Sequence, residues 1–364
     1  MEKPLLVEKR GALAEVTLNR PQVLNALNDE MRGAMLPLLP DFAGDSEIYA
    51  MVLRSNSPRA FCAGGDVREL TRLGRADPAQ AVASVGQEYF LNWALECFTK
   101  PTVSLIDGMV MGSGVGLMLY GTHRVAGEGF CFAMPETAIG LFPDVGACSV
   151  LAKLPGHMGR YIGLTGRTIG RQTAYRLGIV THCIAASQFD QIRDGLGAAD
   201  TVDPLLDNLH VDSSAGAFDD GLIGRGNLIE DVFGGTSLAG MFRALEFQAK
   251  SASADAAWCA DVLSDLQSRA PLSLLVTLRH LDACRSQKLQ QVLIDDYRLA
   301  ARFLTGHDFY EGVRALLIDL DNKPAWQHGG INEVSPEEID EYFAELVVPE
   351  LELPDREKMQ QTQA

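Results

Sequence analysis

Residues 5–186 alternate short apolar runs with longer segments of helical period, and no other feature of the chain narrows its fold as much. Residues 5–9 and 12–18 read as two strands turning at Gly11. Residues 49–54 and 101–106 read as short buried strands. Between them, residues 85–98 carry Tyr89, Trp93 and Cys97 at i, i+4 and i+8, one helix face turned toward a core. A further helix is expected over 24–42, opening near Asn25 or Asn28. Strands that alternate with helices imply βα units and a largely parallel sheet, an α/β fold.

The pattern changes after residue 186. Residues 198–203 and 212–220 are small, acidic and turn-rich, and read as a connecting region. From about residue 236 the period is helical, most clearly over 272–285 and 289–303, with Thr305-Gly306 as a helix stop. Pro349 and Pro354 should break any further helix, leaving the polar 359–364 as a frayed tail. These changes divide the chain into 1–190, 191–235, 236–345 and 346–364. A length of 364 residues fits about two domains at roughly 150 residues each.

Charge and cysteine usage exclude several functions. The chain has 31 basic and 48 acidic residues, a formal charge of −17, which argues against a general nucleic-acid or anionic-membrane binder. One local basic patch would still suffice for a small anionic ligand. The seven cysteines form no CxxC and lie at no metal-ligand spacing, so buried reduced thiols are expected. No metal site is expected. His123, His157, His182 and His280 also share no ligand spacing. Met1–Arg10 lacks the pattern of a signal or transit peptide, and the most apolar window, 102–120, is broken by Asp107 and four glycines. A cytoplasmic enzyme without a membrane span is the expectation.

Three segments could carry chemistry. Residues 59–67 (RAFCAGGDV) follow one strand directly, and residues 109–118 (MVMGSGVGLM) follow another. Glycine-rich backbone between a strand and a helix offers free N–H groups to an anion or oxyanion. Close helix–strand packing explains either segment alone equally well. A dinucleotide fingerprint fails at Leu117, a nucleophile elbow fails at Ser113, and there is no phosphate loop. In the third segment, 132–146, Glu136 and Asp144 sit among apolar neighbours. Partial desolvation there would raise a carboxylate's pKa and suit it to acid–base or nucleophilic work. Asp144 could equally be the N-cap of a helix over 145–151. Glu136 has no basic neighbour in sequence to offset its burial.

Together, residues 19–27 (NRPQVLNAL), 60–66 (AFCAGGD), 112–116 (GSGVG) and 134–144 (MPETAIGLFPD) resemble the crotonase (enoyl-CoA hydratase/isomerase) superfamily. More narrowly, residues 135–144 (PETAIGLFPD) and a C-terminal segment that ordinary hydratases lack, 306–319 followed by Pro324-Ala-Trp326, resemble its 3-hydroxyisobutyryl-CoA hydrolase branch, thioesterases of valine breakdown. The resemblance covers roughly 5–186 and 268–345. It implies a ClpP/crotonase-like fold of repeated ββα units with an α-helical C-terminal region. It also implies acyl-CoA as the substrate, no cofactor beyond the CoA of that substrate, and a possible homo-oligomer.

Residue by residue, the resemblance assigns Gly65 and Ser113 main-chain N–H groups to an oxyanion hole. Glu136 matches the catalytic glutamate, as nucleophile or as general base on water. Asp144 matches a second carboxylate that binds the substrate hydroxyl or positions water. Glu88 matches a substrate-side acid, against a bland reading as a solvated helix residue. Ala63, Gly64, Asp66 and Gly114 join it on the substrate-binding side, with Arg20, Arg59 and Arg68 as phosphate candidates. Arg279, Arg314 and Asp319 read as a buried ionic network. Hydratases carry a second glutamate where this chain has Gly116, so hydration is disfavoured. A hydratase or isomerase, and a non-catalytic acyl-CoA-binding homologue, are the competing readings.

Overall fold

The computed structural model describes residues 3–211, 221–347 and 349–363. In chain order the strands are β1 (Leu5–Arg10), β2 (Leu13–Leu18), β3 (Ala50–Ser55), β4 (Ala60–Cys62) and β5 (Thr102–Ile106). They continue as β6 (Met109–Met111), β7 (His123–Ala126), β8 (Cys131–Ala133), β9 (Ile169–Gly170) and β10 (His182–Cys183). Six form one sheet in the order β1-β2-β3-β5-β7-β10, antiparallel only between β1 and β2. A smaller sheet, β4-β6-β8-β9, lies alongside. Each unit repeats one sequence: a strand for the large sheet, a short strand for the small one, then helical turns that lead back.

The first half supplies α1 (Asp29–Met35), α2 (Leu38–Gly44), α3 (Val67–Ala76), α4 (Pro78–Glu96) and α5 (Ser113–Leu119). The helix expected over 24–42 is therefore two. Leu24 and Asn25 have φ near +55° and cannot open it; Asn28 caps α1 instead, its side chain accepting from Met31 N–H. Pro37 and Pro40 lack the N–H needed to carry the helix through. Next come α6 (Ala147–Leu151), α7 (Met158–Thr165), α8 (Arg171–Arg176), α9 (Phe189–Gly197) and α10 (Val202–Leu209).

The expected turn-rich connection, 191–235, contains most of α9, all of α10 and a further helix at Gly226–Phe233; the 212–220 part of that expectation lies outside the described residues. Ile192, Leu196, Val202 and Leu206 pack on one face of the large sheet, against Leu13, Val52, Val103 and Val125. That apolar face needs cover, which explains helices in a stretch of unpromising composition.

The C-terminal part is helical: α11 (Gly226–Phe233), α12 (Leu238–Ala249), α13 (Ala256–Ser268), α14 (Pro271–Cys284), α15 (Leu289–Phe303), α16 (Asp308–Val313), α17 (Pro336–Phe343) and α18 (Arg356–Gln363). Of the expected frayed tail, residues 359–363 are instead helical, because α18 forms beyond Pro354 and buries Met359 and Gln363; Ala364 lies outside the described residues. Gln363 Nε2 donates to the Ala94 carbonyl at 3.0 Å, and Arg356 pairs with Glu96. Arg279, Arg314 and Asp319 do not form the expected buried network. Arg279 pairs with Asp340 at the surface, while Arg314 meets Asp319 and Asp321 in partly exposed bridges. A fully buried pair in this region, among the described residues, is His280–Asp296, joining α14 to α15.

Candidate active site

A cavity of about 310 Å³ opens where the small sheet's strand ends meet α1, α4 and the C-terminal helices. Its polar wall comes from three turns. After β4, the chain passes through Ala63, Gly64 and Gly65 to Asp66, whose side chain caps α3 by accepting from Glu69 N–H at 3.2 Å. After β6, Gly112 (φ +47°) turns the chain into α5, which begins at Ser113. After β8, a 3-10 turn at Glu136–Ile139 leads on to Asp144.

These turns converge closely. A Cβ placed on Gly65 would lie 2.8 Å from Ser113 Oγ, so the two main chains run side by side. A Cβ on Gly112 would lie 2.9 Å from Glu136 Oε1 and 3.5 Å from Gly64 Cα, so only glycine admits the carboxylate there. Leu27 pairs with the residues flanking Gly65, donating to the Gly64 carbonyl and accepting from Asp66 N–H. In a parallel bridge the N–H of Gly65 then points away from Leu27. Ser113 N–H, first in α5, has no carbonyl one turn earlier to bond. Both expected oxyanion donors and Glu136 thus border one cavity.

Burial dominates the electrostatics. Glu136 is 6% exposed, and its Oε2 has no hydrogen-bond partner among the described residues. Desolvation, and then the Asp144 charge, hold its pKa well above the usual carboxylate range. Asp144 is also pushed well up, by desolvation and then by Glu88 and Asp296. Its Oδ2 accepts a 2.8 Å hydrogen bond from the Tyr89 hydroxyl. Burial and negative neighbours raise Tyr89 well above its ordinary value, so it keeps the proton it donates. Asp144 is not a helix cap: α6 opens at Ala147, behind Gly146, and the Asp144 side chain turns to Tyr89 instead.

Glu88 is buried, contrary to the solvated reading. Its Oε2 accepts from Arg32 Nη1 at 3.0 Å, and its Oε1 has no hydrogen-bond partner among the described residues. Arg32 also donates to Ser84 Oγ at 2.7 Å and pairs with Asp29, which accepts from Ser84 Oγ at 2.6 Å. Sequence reasoning misses Tyr89 and this Arg32 cluster. The helical period places Tyr89 only on a core-facing side, and the α1–α4 pairing has no local signature. An unpaired acid one residue before an apolar-face tyrosine is the signal that could have found it.

Of the site residues expected from sequence, Ala63, Gly64, Gly65, Asp66, Glu88, Ser113, Glu136 and Asp144 all line the cavity. Gly114 does not; a Cβ there would collide with the Cys62 carbonyl, so it serves close packing of α5 on β4. Arg20 is engaged by Asp66 at 3.1 Å, while Arg59 and Arg68 lie exposed; none of the three lines the cavity. Gly116 faces a filled space, where a Cβ would lie 2.7 Å from Asn92 Nδ2 and 2.9 Å from Val145 Cβ. Among the described residues, no group of three or more His, Cys, Asp or Glu could hold a metal ion. No helix there is long and apolar enough to cross a membrane.

Comparison with known proteins agrees with this fold. Residues 13–343 match the enoyl-CoA hydratase/isomerase family. The mitochondrial 3-hydroxyisobutyryl-CoA hydrolase of Xenopus tropicalis is 38% identical over 96% of this chain and 90% of its own length. The Homo sapiens protein of the same name is 36% identical over 94% and 89%. Among solved structures, an enoyl-CoA hydratase from Rhodobacter sphaeroides 2.4.1 superposes with a TM-score of 0.88, at 34% identity over 96% of this chain and 100% of that one. A carnitinyl-CoA dehydratase from Mycobacterium thermoresistibile gives 0.87 at 32% identity, over 96% and 99%. With its ββα units, its paired glycine turns and a buried glutamate between them, the chain belongs to the enoyl-CoA hydratase/isomerase (crotonase) family.

Proposed function

We propose that the protein hydrolyses 3-hydroxyisobutyryl-CoA, or a close short 3-hydroxyacyl-CoA, to the free hydroxy acid and CoA, a step of valine breakdown. One observation carries the reaction type. Glu136 stands buried beside the Gly65 and Ser113 main chain, while the position a hydratase fills with a second glutamate is packed by Asn92 and Val145. Water addition across a double bond needs two carboxylates around that water; thioester cleavage needs one. The choice of acyl group leans on the relatives' names.

In the proposed reaction the thioester carbonyl oxygen lies against the Gly65 and Ser113 N–H groups. Each donor of this type is typically worth about 3–4 kcal/mol in the transition state. Ionised Glu136 either takes a proton from the attacking water or attacks the carbonyl carbon itself, giving a mixed anhydride that water then opens. In both routes the C–S bond breaks: in the first, Glu136 passes the proton taken from water to the departing sulfur; in the second, CoA leaves as the thiolate and takes its proton from solvent, while the water that opens the anhydride releases one. Asp144, steadied by Tyr89, holds the water or the substrate hydroxyl, and the free Glu88 oxygen provides a second acceptor. Neither route uses a metal or redox cofactor. All seven cysteines are free, which supports a reducing compartment; we place the protein in the cytoplasm, whereas the named vertebrate relatives are mitochondrial.

The test follows thiol release from 3-hydroxyisobutyryl-CoA, 3-hydroxypropionyl-CoA and crotonyl-CoA. Release from the hydroxyacyl thioesters and none from crotonyl-CoA supports the hydrolase. Loss of the crotonyl-CoA enoyl absorbance without thiol release replaces it with a hydratase. A single turnover in 18O-labelled water separates the two routes, since only the anhydride route can leave label in Glu136.

A further inference from the structure

We propose that His280 and Asp296 are positioning residues for this reaction: Asp296 holds the turn immediately after Asp144, and thereby sets where the Asp144 carboxylate stands. The inference rests on the function proposed above, for which Asp144 is a working group.

Both side chains are fully buried, 0% exposed. Asp296 Oδ1 meets His280 Nε2 at 2.6 Å, and Asp296 Oδ2 accepts from Gly146 N–H at 2.7 Å. Val145 (φ +52°) and Gly146 (φ +72°) are successive left-handed residues, the first β-branched, so the turn needs outside support to keep its shape. That support comes from two sides. Asp296 grips the Gly146 N–H, and the Tyr120 hydroxyl donates to the Val145 carbonyl. Two residues before Gly146, Asp144 is fastened to Tyr89. The carboxylate thus stands between a clasp on its side chain and a clasp on the backbone just beyond it. A buried ion pair adds little net stability compared with apolar packing. Its use here lies in presenting an acceptor to a strained turn.

The pair also governs charge. Facing Asp296 are His280 and Cys284 of α14, Cys148 of α6, Tyr120 beside α5, Tyr89 of α4 and Asp295 of its own helix. Facing Asp144 are Glu88 and Tyr89 of α4, Asp296 of α15, Glu136 of the 3-10 turn, Tyr120 beside α5 and Cys148 of α6. Burial alone would lower the His280 pKa, but the bonds to Asp296 and Cys284 prevail and raise it to about 10. The His280 proton therefore stays on the pair at neutral pH and offsets part of the Asp296 charge that Asp144 feels.

The test measures kcat, KM and the pH profile of thioester cleavage for Asp296→Leu, Asp296→Asn, His280→Gln and Tyr120→Phe. Asp296→Leu removes the grip and should lower kcat about 100-fold while KM rises by less than about tenfold, since Asp144 alone among the proposed substrate contacts is displaced. Asp296→Asn, which can still accept from Gly146 and donate to His280, should restore most of that loss. His280→Gln leaves the Asp296 charge unopposed and should move the acid limb of the profile to higher pH. Tyr120→Phe should lower kcat in the same sense, by less. A folded Asp296→Leu with wild-type kcat overturns the proposal, as does an Asn variant no better than Leu. Should Asp296→Leu not fold, an unmoved acid limb in His280→Gln together with unchanged kcat in Tyr120→Phe overturns it. A wild-type protein without thioesterase activity would instead remove the function proposed above. The clasp is then judged by infrared titration of Asp144 in the free protein, its band assigned with Asp144→Asn. A band at the same pH in wild type and His280→Gln rejects the clasp, and a shift upward supports it.

Discussion

At the scale of single residues, the site depends on what it costs to keep a carboxylate out of water. Glu136 is held protonated to higher pH than an ordinary glutamate by burial and by Asp144. Its reactive form is the ionised one, so kcat/KM should fall as pH drops, with an acid limb well above the usual carboxylate range of about 4. A limb at pH 4 in the measured profile would remove Glu136 from the chemistry. The same shift bears on stability. Because the folded pKa lies above the unfolded one, Glu136 favours folding fully below the unfolded pKa, and this contribution is lost as pH rises through the folded pKa. Glu136→Gln removes the cost of the buried charge. It should abolish turnover, leave acyl-CoA binding largely intact, and raise Tm at pH 8 but not at pH 4. Calorimetry at both pH values, alongside thiol release, checks all three expectations. For Asp144→Asn, activity should fall without the drop in Tm that losing a helix cap brings, and Tm at pH 8 should rise as for Glu136→Gln, since burial raises both carboxyls.

At the scale of elements, the glycines of α5 show how packing selects a reaction. A side chain at Gly116 would run into Asn92 and Val145, and Val145 belongs to the turn immediately after Asp144. Even Gly116→Ala should cost about 1–3 kcal/mol of stability by overpacking. It should also lower kcat by displacing that turn, and denaturant unfolding beside steady-state kinetics would show both. Gly116→Glu should not create a hydratase, because the space for the carboxylate is filled; appearance of crotonyl-CoA hydration in that variant would contradict this packing. A second element effect comes from α10. Leu206 is buried on the sheet face opposite the site, so Leu206→Ala should cost about 2–5 kcal/mol while kcat at low temperature stays close to wild type.

At the scale of the whole molecule, the two halves share one core. Leu53 and Phe61 of the first half, and Leu281, Leu293 and Phe303 of the last, belong to one continuous apolar cluster. Phe142, two residues before Asp144, stacks on Phe303 at 5.6 Å and meets the His280 ring edge-on at 5.8 Å. The chain should therefore melt in a single calorimetric transition, and Leu293→Ala should lower that Tm without splitting it; two separated transitions would show independent units. Much of this was legible from the sequence. Strand and helix periods, the glycine turns and the isolated Glu136 are local patterns that local sterics and solvation decide, so the α/β class could be read in advance, and the family resemblance added the three turns that form the cavity's polar wall. Other features were decided only in three dimensions. Composition hid α9 and α10, because their reason to form is a sheet face far away in sequence. Tyr89 became the donor to Asp144, Arg32 the partner of Glu88, and Asp296 the support of Gly146 through contacts spanning 55, 56 and 150 positions. Local pattern carries no information about such pairings. They form because a buried polar group must find a partner, and only the folded chain determines which one lies within reach.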